Sequence, residues 1–263
     1  MSASADPTMN PRGRRKNRKK RRSIIKRLLV VGGLVIVLAL AGLWFSVQHV
    51  PVWYQPMVIA PQNVQAIRND FVQAHDELNE LMLRSNEPFD YKISQDRLNS
   101  WISIREGIWP EVRDWLPSYV QNPFVTFDEQ GLRVAATISQ DSLRTVLSVR
   151  FAVTADKDNF HIQLTEVQSG SLPVPEAVVR AQLEKLDQEG WNLETFGYNL
   201  RNQPRPEDLL KGISWPNSSA WKQVNLSGSD HRQFAVTGVR FEEGAVTLTI
   251  QPLGAVSSRK AKK

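Results

Sequence analysis

From Leu28 to Phe45 the chain reads LLVVGGLVIVLALAGLWF, eighteen residues without a charged or strongly polar side chain. A helix rises about 1.5 Å per residue, so the run reaches roughly 27 Å, close to the hydrocarbon thickness of a bilayer. This pattern predicts one transmembrane helix over 28–47. A prolyl segment, PVWYQPMVIAP, follows and marks 48–61 as a linker. Beyond it Val64, Ile67, Phe71, Ala74, Leu78 and Leu81 recur at alternating spacings of three and four, with Met82 beside them. That is the stripe of an amphipathic helix over about 62–84. A coiled-coil seam would look similar. The stripe runs for under three heptads and lacks consistent opposite charges beside it, which favours a core helix packed on a sheet.

The periodicity then changes to two. Phe89 to Ile93 alternates as a short strand, and Ser94 is placed to cap a helix running to about Ile104, with Leu98, Trp101 and Ile102 inward. Pro110 and Pro117 break the next stretch. Phe124–Phe127 and Leu132–Ile138 flank the turn DEQG, and Arg144–Thr154 and Phe160–Val167 flank ADKDN. Each reads as a β-hairpin. A helix follows from Pro175 to Gln188, with Gly190 just past its end and Val178, Val179, Leu183 and Leu186 on one face. Residues 191–232 are irregular. A last hairpin turns at Glu242-Glu243-Gly244 between Phe234–Arg240 and Val246–Ile250. Antiparallel hairpins with segregated helices predict an α+β fold, an antiparallel sheet packed on a long helix, over 62–252.

Charge gives the apolar run a direction. Eleven basic residues lie between Arg12 and Arg27, opposed only by Asp6. Lys and Arg beside a span hold that end in the cytoplasm, so the remainder is exported. Residues 1–27 then form a basic cytoplasmic arm without fixed structure, and Trp44, Phe45, Trp53 and Tyr54 fall at the outer boundary. A cleaved signal peptide would have a shorter apolar core and a small-x-small site after it. Ala39-Leu40-Ala41 lies inside the run, and SVQHVPVWYQP offers no such site. The run therefore reads as a retained signal-anchor.

The same charges account for the basic pI of about 9.6. Of 33 basic and 27 acidic residues, eleven basic and one acidic precede the span and four basic residues close the chain in a tail over 253–263; the body keeps 18 against 26. An acidic exported body argues against a nucleic-acid partner. The arm and span point instead to membrane lipids. The chain has no cysteine, which removes thiol nucleophiles, zinc ribbons and Fe–S sites. Asn217 and Asn225 sit in glycosylation sequons, a short pattern that matters only in a eukaryotic secretory route.

No catalytic, metal or nucleotide motif is legible. His49, His75, His161 and His231 have no metal-ligand spacing, and His75-Asp76 are helix neighbours that do not face each other. No cofactor and no enzyme is expected; a carboxylate-pair hydrolase remains as the third reading, because its two acids need only meet in space. The tryptophans stand out. Trp101, Trp109 and Trp115 cluster within fifteen residues. They read either as core anchors or as the mouth of an apolar-ligand site.

The phrases KISQDRLNSWIS, FVTFDEQGLRVAATI, SGSLPVPEAV and VTGVRFEEGAVTLTIQPL, in this order behind an N-terminal span, resemble those of membrane-anchored bacterial proteins of the YpmS-like kind over roughly residues 89–250. The resemblance implies a curved sheet wrapped on a helix, similar to folds that hold lipid in an apolar interior. The expected function is that of a single-pass, membrane-anchored extracytoplasmic binding or scaffold protein. It would either hold lipid or another apolar ligand, or recruit another envelope protein with a solid core.

Overall fold

The structure is a computed structural model that describes residues 34–109, 116–140, 143–188, 205–216 and 233–253. Met1–Ser46 and Val47–Lys263 form two separate compact units. The arm over 1–27, the first residues of the apolar run, Trp115, the sequons and the basic tail's last ten residues lie outside the described residues.

The apolar run is helical from residue 34, and this helix, α1, extends over 34–48, with residues 34–46 in the first unit. Consecutive helix positions point about 100° apart. Leu34, Val35, Ile36, Val37 and Leu38 are nevertheless all 58–62% exposed, and Phe45 reaches 73%. No face of α1 is buried. Among the described residues no helix is long and apolar enough to cross a membrane, since the described part of the run begins at Leu34.

The second unit is α+β with antiparallel sheets. A long helix, α2 (Val64–Arg84), is followed by β1 (Phe89–Ser94), α3 (Gln95–Ser103) and the one-turn α4 (Arg105–Ile108). Four long strands come next: β2 (Val120–Asp128), β3 (Gly131–Gln140), β4 (Leu143–Ala155) and β5 (Asn159–Ser169). The two-residue β6 (Leu172–Pro173) leads into α5 (Glu176–Gln188), and a short 3-10 helix, Pro206–Leu210, leads into β7 (Ile213–Pro216). The closing hairpin is β8 (Gln233–Glu242) and β9 (Ala245–Leu253). The small sheet has the order β1-β9-β8; the large one runs β2-β3-β4-β5-β6, with β7 also on β5.

Alternation along β2 sends its two faces to different cores. Val125 and Phe127 pack with Val246, beside Ile93, Leu98, Ile102, Val239 and Phe241, which joins the large sheet to the small sheet and α3. Phe124 on the opposite face packs with Ala135, Val146 and Tyr54. The α2 helix covers the small sheet through Met82 and Leu78, against Phe234, Ile250 and Tyr91. Its inward stripe passes through Ala74 and Met82, whereas Leu81 is 40% exposed. The spacing of three from Leu78 thus gives way to four, which keeps the stripe on the sheet over the last turn.

The prolyl segment 48–61 is not a free connector. Pro51 and Tyr54 are buried, and the Tyr54 hydroxyl donates to the Asn122 carbonyl at 2.7 Å and shares a hydrogen bond with Thr137 at 2.9 Å. The Arg133 guanidinium stacks 4.8 Å from the centre of the Trp53 ring. Val47 already belongs to this unit, its carbonyl accepting from Thr145 Oγ1 at 2.6 Å. Proline fixes backbone angles without setting whether the chain lies free or docked.

The free edge of β2 is closed by side chains of α3. Asn99, only 1% exposed, accepts from Val125 N–H at 2.8 Å and donates its amide to the Val125 carbonyl at 2.7 Å. Gln95, one turn earlier, accepts from Phe127 N–H at 3.0 Å. The Phe127 carbonyl accepts from Gly244 N–H at 3.1 Å, and the Gly244 carbonyl accepts from Gln95 N–H at 2.8 Å. Replacing Asn99 by Ala strands one donor and one acceptor of Val125 away from water. At roughly 1–3 kcal/mol per unsatisfied buried group, N99A should lower stability by about 2–6 kcal/mol in a denaturant titration. A loss under about 1 kcal/mol would show that the amide does not close this edge.

Candidate functional site

The tryptophans singled out in the sequence lead to the junction of α2 with α3. Ser94 caps α3, its Oγ accepting from Arg97 N–H at 3.3 Å, so Arg97 and Trp101 project one turn apart from the same helix face. Both meet Asp70 of α2. Arg97 donates from Nε and Nη2 to the two carboxylate oxygens at 2.9 and 2.8 Å, and Trp101 Nε1 donates to Oδ2 at 2.9 Å. The guanidinium also lies 5.3 Å from the Trp101 ring centre. Phe71 sits edge-on to Trp101 at 5.4 Å and to Trp109 at 5.0 Å.

Trp101 is 6% exposed and its only polar atom is bonded inside the protein. Trp109 is half-buried against Phe71. Both rings therefore meet the same side chain of α2, Phe71. Trp115 lies outside the described residues. Asp70 and Arg97, which organise this junction, carried no sequence signal, since the pair is long-range and each residue is ordinary on its own helix.

Other groups with chemical potential are held in closed contacts. On the large sheet Arg133, Arg150 and Glu166 are cross-strand neighbours. Arg150 pairs with Asp128, and Arg133 with Glu166 at 3.1 Å, so two guanidinium groups are matched by two carboxylates. His75 is 3.8 Å from Asp76, both well exposed, and hydrogen-bonds Asn79 at 3.0 Å. His49 Nδ1 is 2.8 Å from Ser171 Oγ. Among the described residues no group of three or more His, Cys, Asp or Glu is placed to hold a metal ion. An open groove of about 420 Å³ runs along β5, lined by Leu164, Val167, Pro173, Val174, Val179 and Leu210 together with Glu166 and Glu176. Consecutive residues of β5 line it, so it follows the strand's outer edge between β6 and β7.

No protein-family model matches the chain, and neither the curated proteins nor the solved structures compared with it give a match.

The Arg97 and Trp101 hydrogen bonds act on the acid–base behaviour of Asp70. Arg97 foremost, with Trp101 and against some desolvation, holds the carboxyl below its ordinary value. A folded-state pKa below the unfolded one gives stability that is complete above the ordinary carboxylate range and is lost as pH falls through the folded value. The gap in thermal midpoint between the native chain and D70N should therefore be constant from pH 7 to about 5 and narrow below about pH 4. A gap independent of pH would mean that the Asp70 charge does not clamp α3 to α2.

Proposed function

We propose that this chain is a single-pass, membrane-anchored binding or scaffold module without enzymatic activity, its N-terminus in the cytoplasm and its α+β domain outside. The observation that carries the reading is α1, a helix whose apolar side chains are exposed on successive faces, behind a flank of eleven basic residues. Water strongly disfavours such a surface, whereas a bilayer is its natural solvent, and the basic flank selects the side. The resemblance to YpmS-like membrane-anchored proteins points the same way.

Of the two ways such a module could work, recruitment of another envelope protein by the surface of a solid core is the better supported. The rings that would have framed a ligand mouth, Trp101 and Trp109, are packed on Phe71, and Trp101 is also tied to Asp70. The apolar-ligand reading keeps one observation, the groove along β5, whose size falls within the range of small-molecule sites.

The absence of cysteine makes the topology directly testable. In spheroplasts a membrane-impermeant maleimide should label D158C, and should label S4C only after permeabilisation; the opposite pattern would overturn the orientation. Residues 47–263, purified without detergent and extracted with organic solvent, should release no stoichiometric lipid. One lipid per chain would move the apolar-ligand reading ahead of the scaffold reading.

A further inference from the structure

The domain has two unlike ends. One is where β3 passes into β4, at the register pair Ser139↔Arg144. The chain arrives from the apolar run at this end. Val47 is held by Thr145, and His49 by Ser171 in the turn between β5 and β6. Ser139 N–H also donates to the Tyr119 carbonyl here at 2.9 Å, which brings in the segment before β2. The residues gathered here leave large apolar side chains uncovered: Val52 is 84% exposed, Val50 58%, Tyr119 45% and Leu116 36%. Among the described residues, the charged groups beside them are Arg144, Arg105 and Glu106.

The other end holds the hairpin turns Asp128–Gly131 and Ala155–Asn159. The Gly244 to Phe127 hydrogen bond adds the β8–β9 turn. It presents Asp128, Glu129, Asp156, Asp158, Glu242 and Glu243, offset in part by Lys92, Arg150, Lys157 and Arg240. At about 3.3 Å per residue, the ten residues of β3 set the two ends roughly 30 Å apart.

Only Ser46 separates Phe45, the last residue of the apolar run, from Val47, the first docked residue of the domain. One residue spans at most about 3.6 Å. From this we propose that the Val50, Val52, Tyr119 and Leu116 surface is a bilayer-contact surface seated in the headgroup region, with the acidic turns pointing away. The assignment rests on the membrane-anchor reading above. Continuity with the anchor selects the bilayer as occupant. A tyrosine and valines suit the headgroup interface, and the acidic end is repelled by an anionic leaflet.

Single-cysteine variants of the full chain, carrying nitroxide labels in phosphatidylethanolamine/phosphatidylglycerol vesicles, test both readings separately. Collision with oxygen and with a water-soluble nickel chelate reports depth. L38C should lie in hydrocarbon, V52C and Y119C at the headgroup level with at least a several-fold lower nickel accessibility than D158C, and D158C in water. L38C in hydrocarbon with V52C and Y119C as nickel-accessible as D158C would overturn the contact surface and leave the anchor standing. L38C in water would overturn the anchor and the contact surface together.

Discussion

The fold depends on how the outer edge of β2 is closed. A strand at the end of a sheet exposes backbone donors and acceptors that must be satisfied by water, another chain or something built for the purpose. Here two side chains one helical turn apart, Gln95 and Asn99, take the place of a neighbouring strand. The Gly244 backbone completes the pairing from the small sheet. Val125, Phe127 and Val246 then meet in one apolar cluster because the two sheets are held at this line. With α3 fixed along β2, Arg97 and Trp101 face α2 and find Asp70. A helix that packed on β2 only through Leu98 and Ile102 could slide; the directional bonds of Asn99 fix its register.

Where structure follows from neighbouring residues, the sequence was readable. Alternation located β1 and both strands of each hairpin, and the turns fell where glycine takes φ values closed to most side chains, 127° at Gly131 and 75° at Gly244. The Ser94 cap and the α2 stripe were local signals too. What was missed depends on distant partners. The segment 48–61 looked like a linker because its prolines speak only of backbone angles, while Tyr54 is anchored by Thr137, 83 residues away. The four-residue β7 lay inside a stretch read as irregular, and its pairing with Asn159–Ile162 has no periodic signature. The left-handed Asn122, φ 51°, marks a bulge that lets β2 begin earlier than the Phe124 expected from alternation.

The candidate site shows the same division more sharply. Large rings at Trp101 and Trp109 fit a packed junction and a ligand mouth equally well, because both need apolar, rigid side chains. What separates the two is the fate of one indole N–H. At a mouth it would be left for ligand or water. Here Asp70 accepts it, and the same carboxylate is gripped by Arg97. Sequence separation of 27 and 31 residues between these partners leaves no pattern to detect.

The docking of residues 47–57 bears on what kind of module this is. A domain that must search a wide volume is served by a flexible tether, whose reach grows as the square root of its length. Here residues 47–54 lie against the large sheet and its β5–β6 turn through Val47, His49, Trp53 and Tyr54, and Met57 is held by Ser103 of α3, ordering a segment that could have stayed free. Ordering each residue costs roughly 1–2 kcal/mol of conformational entropy, and only the buried rings and hydrogen bonds offset it. Such an arrangement gives up reach and gains a fixed start for the domain immediately after the apolar run. The entry point is set by directional bonds to Thr145 and Ser171 rather than left to the entropy of a tether.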